Sequence, residues 1–422
     1  MKKSMEYGLV STMAIALLAG CNQGSSGGED VVELSFSAWG NPAELEVYNR
    51  AVDAFNEEQD EIQVTLTGIP NDNYFQTLTT RLQGGQAPDV FYVGSENMST
   101  LIANGTIEPM SDFMGTDESY VQESEFTDDI WGPSKQDEIV YGLPVDCNPI
   151  LMYYNKTLLE DAGIESPQTY FEQGNWNWDT FAEITGKLKE AGNHGYVQES
   201  GHGNLINWVW TNGGNFATDD AIVADTDELT LEAFEYVDEM VQAGNFTYAG
   251  TMPDGQGIEG MFMTNSVGFV SAGRWLTPMF LQTSLDFDYI PFPSNTGEPI
   301  ETATIATAYM AANSKSEHVE EAQKFISYYT SMEGQRVRLD GEGNAVPSVE
   351  GIDDIVLNQD RPEHGQYLLD ARSVGRVINY EFTSPGLNND LDEIYELMLL
   401  GDMTGEEALD EASRVAKAAL DE

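Results

Sequence analysis

Basic residues are scarce in this chain: 18 lysines and arginines face 72 aspartates and glutamates, a formal net charge of −54 over 422 residues. A field of that sign excludes an electrostatic grip on nucleic acid and disfavours anionic membrane surfaces and strongly anionic ligands. Histidine is equally thin, with His194, His202, His318 and His364 only. None sits in an H-E-x-x-H or beside a C-x-x-C pair, so no zinc motif is present. The sequence also lacks a G-x-S-x-G elbow, a Walker-type glycine loop and an EF-hand calcium loop. Neither catalysis nor a cofactor nor a metal is expected. A membrane span needs about 20 apolar residues. The nearest stretch, Met261 to Leu281, is interrupted by Asn265 and Arg274.

Hydrophobic content of 41% and seven tryptophans supply globular cores, and the length suits two domains or two lobes. The acids are spread along the whole chain, which reads as a heavily solvated surface fitted to high salt or alkaline surroundings. Cysteine occurs twice, as Cys21 and Cys147. Lys2 and Lys3, the apolar Met13–Leu18 and the run Leu18-Ala19-Gly20-Cys21 have the form of a secretory signal ending in a bacterial lipobox. Residues 1–20 are therefore expected to be removed, and Cys21 to be lipidated on the extracytoplasmic face of the cell membrane. Residues 21–30, with Gly24-Ser25-Ser26-Gly27-Gly28, read as a flexible tether. Cys147 then has no disulfide partner and reads as a small buried residue.

Val32, Leu34 and Phe36 alternate with polar residues and predict a strand ending at Trp39-Gly40. Leu45, Tyr48, Val52 and Phe55 follow at helical spacing, Ile62, Val64 and Leu66 alternate again, Tyr74, Leu78 and Leu82 restore the helix, and Val90–Val93 is a buried-type strand. This β-α-β-α-β order predicts a mainly parallel sheet, whose ligands sit beyond the carboxyl ends of the strands. Those ends are Trp39-Gly40, Pro70–Asn73 and Gly94-Ser95-Glu96. Tyr141–Lys156, with its two prolines around Val145–Asn148, reads as an extended passage from one lobe to the other. Later, Val267–Val270 predicts a strand ending at Gly273-Arg274-Trp275. Phe287 and Tyr289 with prolines 291 and 293 suggest a strand leaving the sheet. Ser314–Glu317 suggests a capping box.

With these pieces in order, the chain resembles the family 1 extracellular solute-binding proteins, the maltose-binding-protein-like receptors of ABC importers. The pieces that carry the resemblance, besides the opening strand to Trp39-Gly40, are Gly85-Gln86-Ala87-Pro88-Asp89-Val90 and Tyr141-Gly142-Leu143-Pro144 with Tyr153-Tyr154-Asn155-Lys156. Trp176-Asn177-Trp178-Asp179, Trp210-Thr211-Asn212-Gly213-Gly214, Gly273-Arg274-Trp275 and Ala345-Val346-Pro347 complete the series. The low lysine content departs from the family's habit but touches none of these motifs. The resemblance implies an α/β fold of two lobes, a type II-like Venus flytrap, each lobe a mainly parallel sheet flanked by helices. Lobe 1 would hold 31–145 plus 306–345 and lobe 2 would hold 146–305 plus 346–422. The crossings would fall near Leu143–Asp146, Thr302–Thr307 and Ala345–Ser348.

The implied function is a monomeric, lipid-anchored receptor that captures a neutral carbohydrate and delivers it to the transmembrane subunits of an ABC importer. A sugar phosphate in the same fold, or a surface glycoside hydrolase, are the alternatives. Sugar recognition needs aromatic faces for the C–H face of a pyranose and planar polar groups for its hydroxyls. Trp39, Trp208, Trp210 and Trp275 are the candidate platforms, each weighed against a place in the core. Asp146, at the crossing, is the leading hydroxyl acceptor, followed by Glu96, Asn97, Asn212 and Arg274, with Asn41 and Asn73 at strand-end loops. Asp89 reads as a structural cap, and Trp176, Trp178, Tyr153 and Tyr154 read as packing.

Overall fold

The structure, a computed structural model, describes residues 31–127, 130–218, 221–252, 257–380, 384 and 386–420. The expected signal 1–20, the tether 21–30 and the lipidation site Cys21 lie outside the described residues.

The chain opens with β1 (Val32–Trp39), β2 (Ile62–Ile69) and β3 (Val90–Gly94), separated by helices Pro42–Glu58 and Asn71–Gly84. The helical stripe works as its spacing demands: Val47, Tyr48, Ala51, Val52 and Phe55 are buried with Leu34 and Phe36 of β1. Next come β4 (Ile107–Glu108), the hairpin of β5 (Lys135–Gln136) and β6 (Ile139–Val140), and β7 (Leu143–Pro144). The chain then crosses through β8 (Asn148–Pro149) into β9 (Leu151–Asn155), β10 (His194–Gln198), β11 (Phe246–Tyr248), β12 (Val267–Ala272) and β13 (Phe287–Ile290). It returns by β14 (Ile305–Ala306) to β15 (Ala308–Asn313), after which the regular elements are helices.

Two sheets result. The first runs β2-β1-β3-β15-β4, with β7 paired to β15, and the second runs β11-β10-β12-β9-β13. Pairs joined by helical crossovers are parallel, as such connections require: β1 with β2 and β3, and β10 with β11 and β12. Strands that enter from the other lobe run the opposite way: β15 is antiparallel to β3, and β9 to β12. Each sheet is therefore mixed. The Phe287–Ile290 segment does not leave the sheet; it is the edge strand, antiparallel to β9, because both its faces find apolar cover.

Between the sheets three passages lie side by side. β8 pairs antiparallel with β14. The Val145 amide donates to the Ala308 carbonyl at 2.8 Å, Cys147 to Val346 at 2.9 Å, and Ile150 to Thr304 at 2.9 Å. Cys147 is fully buried here and burial pushes its thiol up to about 12, which leaves it an inert packing residue. One apolar cluster fills lobe 1 and continues onto the near face of the second sheet. A second cluster, with Trp176, Trp178 and Trp208, covers the far face.

Ser314–Glu317 does not cap the following helix, which begins at Val319 without a side-chain cap. The Ser316 hydroxyl donates instead to Asp89 at 2.7 Å, while Asp89 also accepts from the amide and hydroxyl of Ser35. That carboxylate ties β1 to the turn after β15. No helix among the described residues is long and apolar enough to cross a membrane.

Candidate functional site

The carboxyl ends of β1 and β3, the crossings and the end of β12 converge on a cleft between the lobes. Its larger part, about 530 Å³, is lined by Trp39, Asn41, Glu44, Tyr48, Asn71 and Glu96 from lobe 1, by Asp146, Asn148 and Thr307 near the crossings, by Glu259 and Trp275 from lobe 2, and by Asn344. A smaller part, about 270 Å³, shares Glu96, Trp275, Ala306 and Thr307 with it and adds Glu199, Asn204, Ser271 and Thr304. The two parts form one continuous, two-sided site.

Trp39 reaches the cleft because β1 stops at Gly40, whose φ of 155° suits glycine, and where a Cβ would press on Glu44 and Tyr48. Its ring stands edge-on to Tyr74 and Tyr92, at 5.2 and 5.4 Å between centroids, which braces it. Asn41 then caps the helix. Its side chain accepts from the amides of Ala43 and Glu44 at 2.9 and 3.1 Å, while Glu44 accepts from the Asn41 amide at 2.8 Å. That reciprocal cap points the Glu44 carboxylate into the cleft edge. Burial pushes its pKa up to about 7; the Asn41 N–H opposes the rise, and Asp146 and Glu259 add to it.

Opposite Trp39, Trp275 follows Gly273 at the end of β12. A Cβ on Gly273 would collide with the indole, so this close approach holds the ring where it is. Trp275 is half-buried and packs against both apolar clusters. Two tryptophans, one from each lobe, thus face a common space.

Asp146 lies at the crossing, 6% exposed. Burial raises its pKa to about 6 against the pull of the Arg338 guanidinium, which is 4.0 Å away and fully buried. Arg338 also donates to the Val145 carbonyl at 2.6 Å and lies 5.2 Å from the centre of the Tyr329 ring. Glu199 is likewise held up to about 7 by burial, with Glu259 adding to the effect and Asn204 opposing it. Glu96 is exposed to the cleft and accepts from the Asn97 side chain at 2.7 Å; the surrounding protein raises its pKa.

Of the expected site residues, the structure brings Trp39, Asn41, Glu96, Asp146 and Trp275 together, with Asn97 beside Glu96 in a small adjoining recess. It moves the others away. Asn73 is exposed in the first turn of its helix, two residues beyond Asn71, which is the residue that lines the cleft. Trp208 is fully buried in the second core, its indole N–H donating to Gln198 at 2.8 Å. Trp210 faces a separate recess on lobe 2, of about 750 Å³, with Arg376 5.7 Å from the centre of its ring. That recess is built by one lobe only, so it is not the candidate site. Asn212 is spent on structure, donating to Leu229 and Glu232 and accepting from Asn295. Arg274 is 1% exposed and turned inward, donating to the Ala345 carbonyl at 2.6 Å.

Sequence reasoning missed Glu44, Asn71, Glu199, Glu259 and Asn344. The Asn41-x-x-Glu44 spacing was a readable helix-start signal that would have located Glu44. Nothing local distinguishes Glu199 and Glu259 among so many acids.

The family described as bacterial extracellular solute-binding protein matches residues 39–336. A binding-protein relative from Brucella abortus is 24% identical over 429 residues, covering 99% of each chain. The multiple sugar-binding protein of Streptococcus mutans is 23% identical over 372 residues, covering 83% of each. Among solved structures, an ABC substrate-binding protein from Listeria monocytogenes in complex with cycloalternan superposes with a TM-score of 0.81 at 20% identity, covering 93% of this chain and all of that one. The two-lobe architecture, the shared cleft and the span of the family match lead to one conclusion: this chain belongs to the bacterial extracellular solute-binding proteins.

Proposed function

We propose that the protein captures a carbohydrate in the interlobe cleft and presents the closed, loaded form to the membrane subunits of an ABC importer. The observation that carries this reading is that Trp39 of lobe 1 and Trp275 of lobe 2 line one cavity together with Asp146, Asn148 and Asn344. Aromatic faces with planar polar groups at their edges suit a pyranose. Because contacts come from both lobes, ligand binding favours closure, and an importer can distinguish the two shapes. The sugar-binding description of the Streptococcus mutans relative supports the ligand class. No lysine or arginine lines either part of the cleft among the described residues, which weighs against a sugar phosphate.

In this reading, lobe 1 comprises 31–145 plus 306–345 and lobe 2 comprises 146–305 plus 346–422. Residues 1–20 direct export, Cys21 carries the lipid, 21–30 form the tether, and the receptor works as a monomer outside the cell membrane. A thermal-shift panel of mono- and oligosaccharides with glycerol phosphate tests the ligand class, followed by calorimetry and product analysis. Saturable carbohydrate binding without turnover is expected. Binding of glycerol phosphate alone, or hydrolysis of an oligosaccharide, would overturn the reading.

A further inference from the structure

We infer that the carbohydrate this cleft accepts carries a protonated amine, an amino sugar or amino-oligosaccharide taken in preference to an uncharged or anionic one. The inference rests on the carbohydrate reading above and narrows it. Five carboxylates line the joined cavities, Glu44, Glu96, Asp146, Glu199 and Glu259, with no lining lysine or arginine among the described residues. Arg338 offsets Asp146 from behind. Arg274, expected at the rim, is turned toward the Ala345 carbonyl. The remaining four acids come from both sides, Glu44 and Glu96 from lobe 1, Glu199 and Glu259 from lobe 2. Closing the lobes on an uncharged molecule would crowd like charges while expelling water. A cationic nitrogen between them turns that repulsion into attraction.

A second observation concerns buried acceptors. Among the described residues, Asp146 Oδ1 and Asn344 Oδ1 have no hydrogen-bond partner, although their residues are only 6% and 1% exposed and both line the larger cavity. Buried acceptors of this kind call for donors. An ammonium is a donor only, with three N–H groups, whereas a hydroxyl offers one. The faces of Trp39 and Trp275 favour a cation as well. A bare metal ion fits poorly, because the cleft acids do not converge. Among the described residues only Asp288, Glu363 and His364, in another part of lobe 2, bring three ligand atoms within 4.8 Å. Glu44 and Glu199, each held up to about 7, would give up their protons to the solvent as the ammonium binds.

The test is calorimetric titration of the folded chain with glucosamine oligomers, their N-acetylated forms and glucose oligomers of equal length. It is repeated on Glu44→Gln, Glu199→Gln and their combination, and on Glu96→Gln, whose exposed site makes loss of folding no concern. Glucosamine oligomers are expected to bind at least about tenfold tighter than either uncharged set. The combined variant should shrink that preference to within about threefold. Equal or tighter binding of the uncharged sets overturns the amine inference and leaves the carbohydrate reading standing. A preference that survives every glutamine variant overturns the role given to these carboxylates. Binding of no oligosaccharide overturns both.

Discussion

Trp208 and Trp275 were both candidate platforms in the sequence, and the structure puts one in the core and the other at the cleft. Trp275→Ala is expected to weaken oligosaccharide binding by about 1–3 kcal/mol, read by calorimetry, because the indole faces the cleft. It will also lower stability somewhat, since the ring touches both apolar clusters. Trp208→Ala should instead cost about 3–5 kcal/mol of folding stability, read by chemical denaturation, through the cavity it leaves. Ligand affinity of the protein that remains folded should not change. Reversed outcomes would exchange the two residues' roles. Asp146 was legible from its place between prolines at a crossing. Asn212 and Arg274 were misread because a motif shows which residues recur together and not which way a side chain turns.

At the scale of elements, the junction between helix Met332–Leu339 and the Val145–Asp146 passage joins sequence positions far apart. Arg338 reaches from that helix to the Val145 carbonyl and the Asp146 carboxylate. Arg338→Met should destabilise the fold by about 3–5 kcal/mol, because it leaves Asp146 buried without its counter-charge. Adding Asp146→Asn should recover part of the loss, and a denaturation double-mutant cycle measures the coupling. Strictly additive effects would remove this pairing as a stabilising contact. The strands and helices flanking such junctions were readable, because alternation in β1 and the stripe from Val47 to Phe55 record burial in local spacing. The edge position of β13 and the turn at Ser314–Glu317 were not, since each depends on a partner distant in sequence: β9 for one, Asp89 for the other.

For the whole molecule, charge sets two expectations. With a net charge of −54, screening should raise the melting temperature between low and molar NaCl, and a flat or falling curve would remove self-repulsion as a factor. The pH dependence has a defined sign. Glu44 and Glu199, held up to about 7, and Asp146, held up to about 6, bind protons more tightly folded than unfolded. Their contribution is full below the ordinary carboxylate range and is lost as pH rises through 6 to 7. His202, buried between Tyr380 and Tyr395 and lowered to about 3, acts the other way and loses its contribution as pH falls below its ordinary value of 6.5. The melting temperature should therefore be higher near about pH 5.5 than near about pH 8. The Glu44→Gln, Glu199→Gln variant should flatten that slope. An unchanged slope would show that general surface charge, and not these two acids, governs it.

The sequence alone determined the opening β-α-β-α-β order and the extended crossing within Tyr141–Lys156, because strand alternation, helical spacing and proline placement are local records of burial and backbone shape. The two-lobe class came with the family resemblance. Only the tertiary structure decided which acids line the cleft. Glu44, Glu199 and Glu259 are ordinary among 72 carboxylates until the lobes bring them around one cavity. Desolvation, which no local pattern encodes, then sets Glu44 and Glu199 apart.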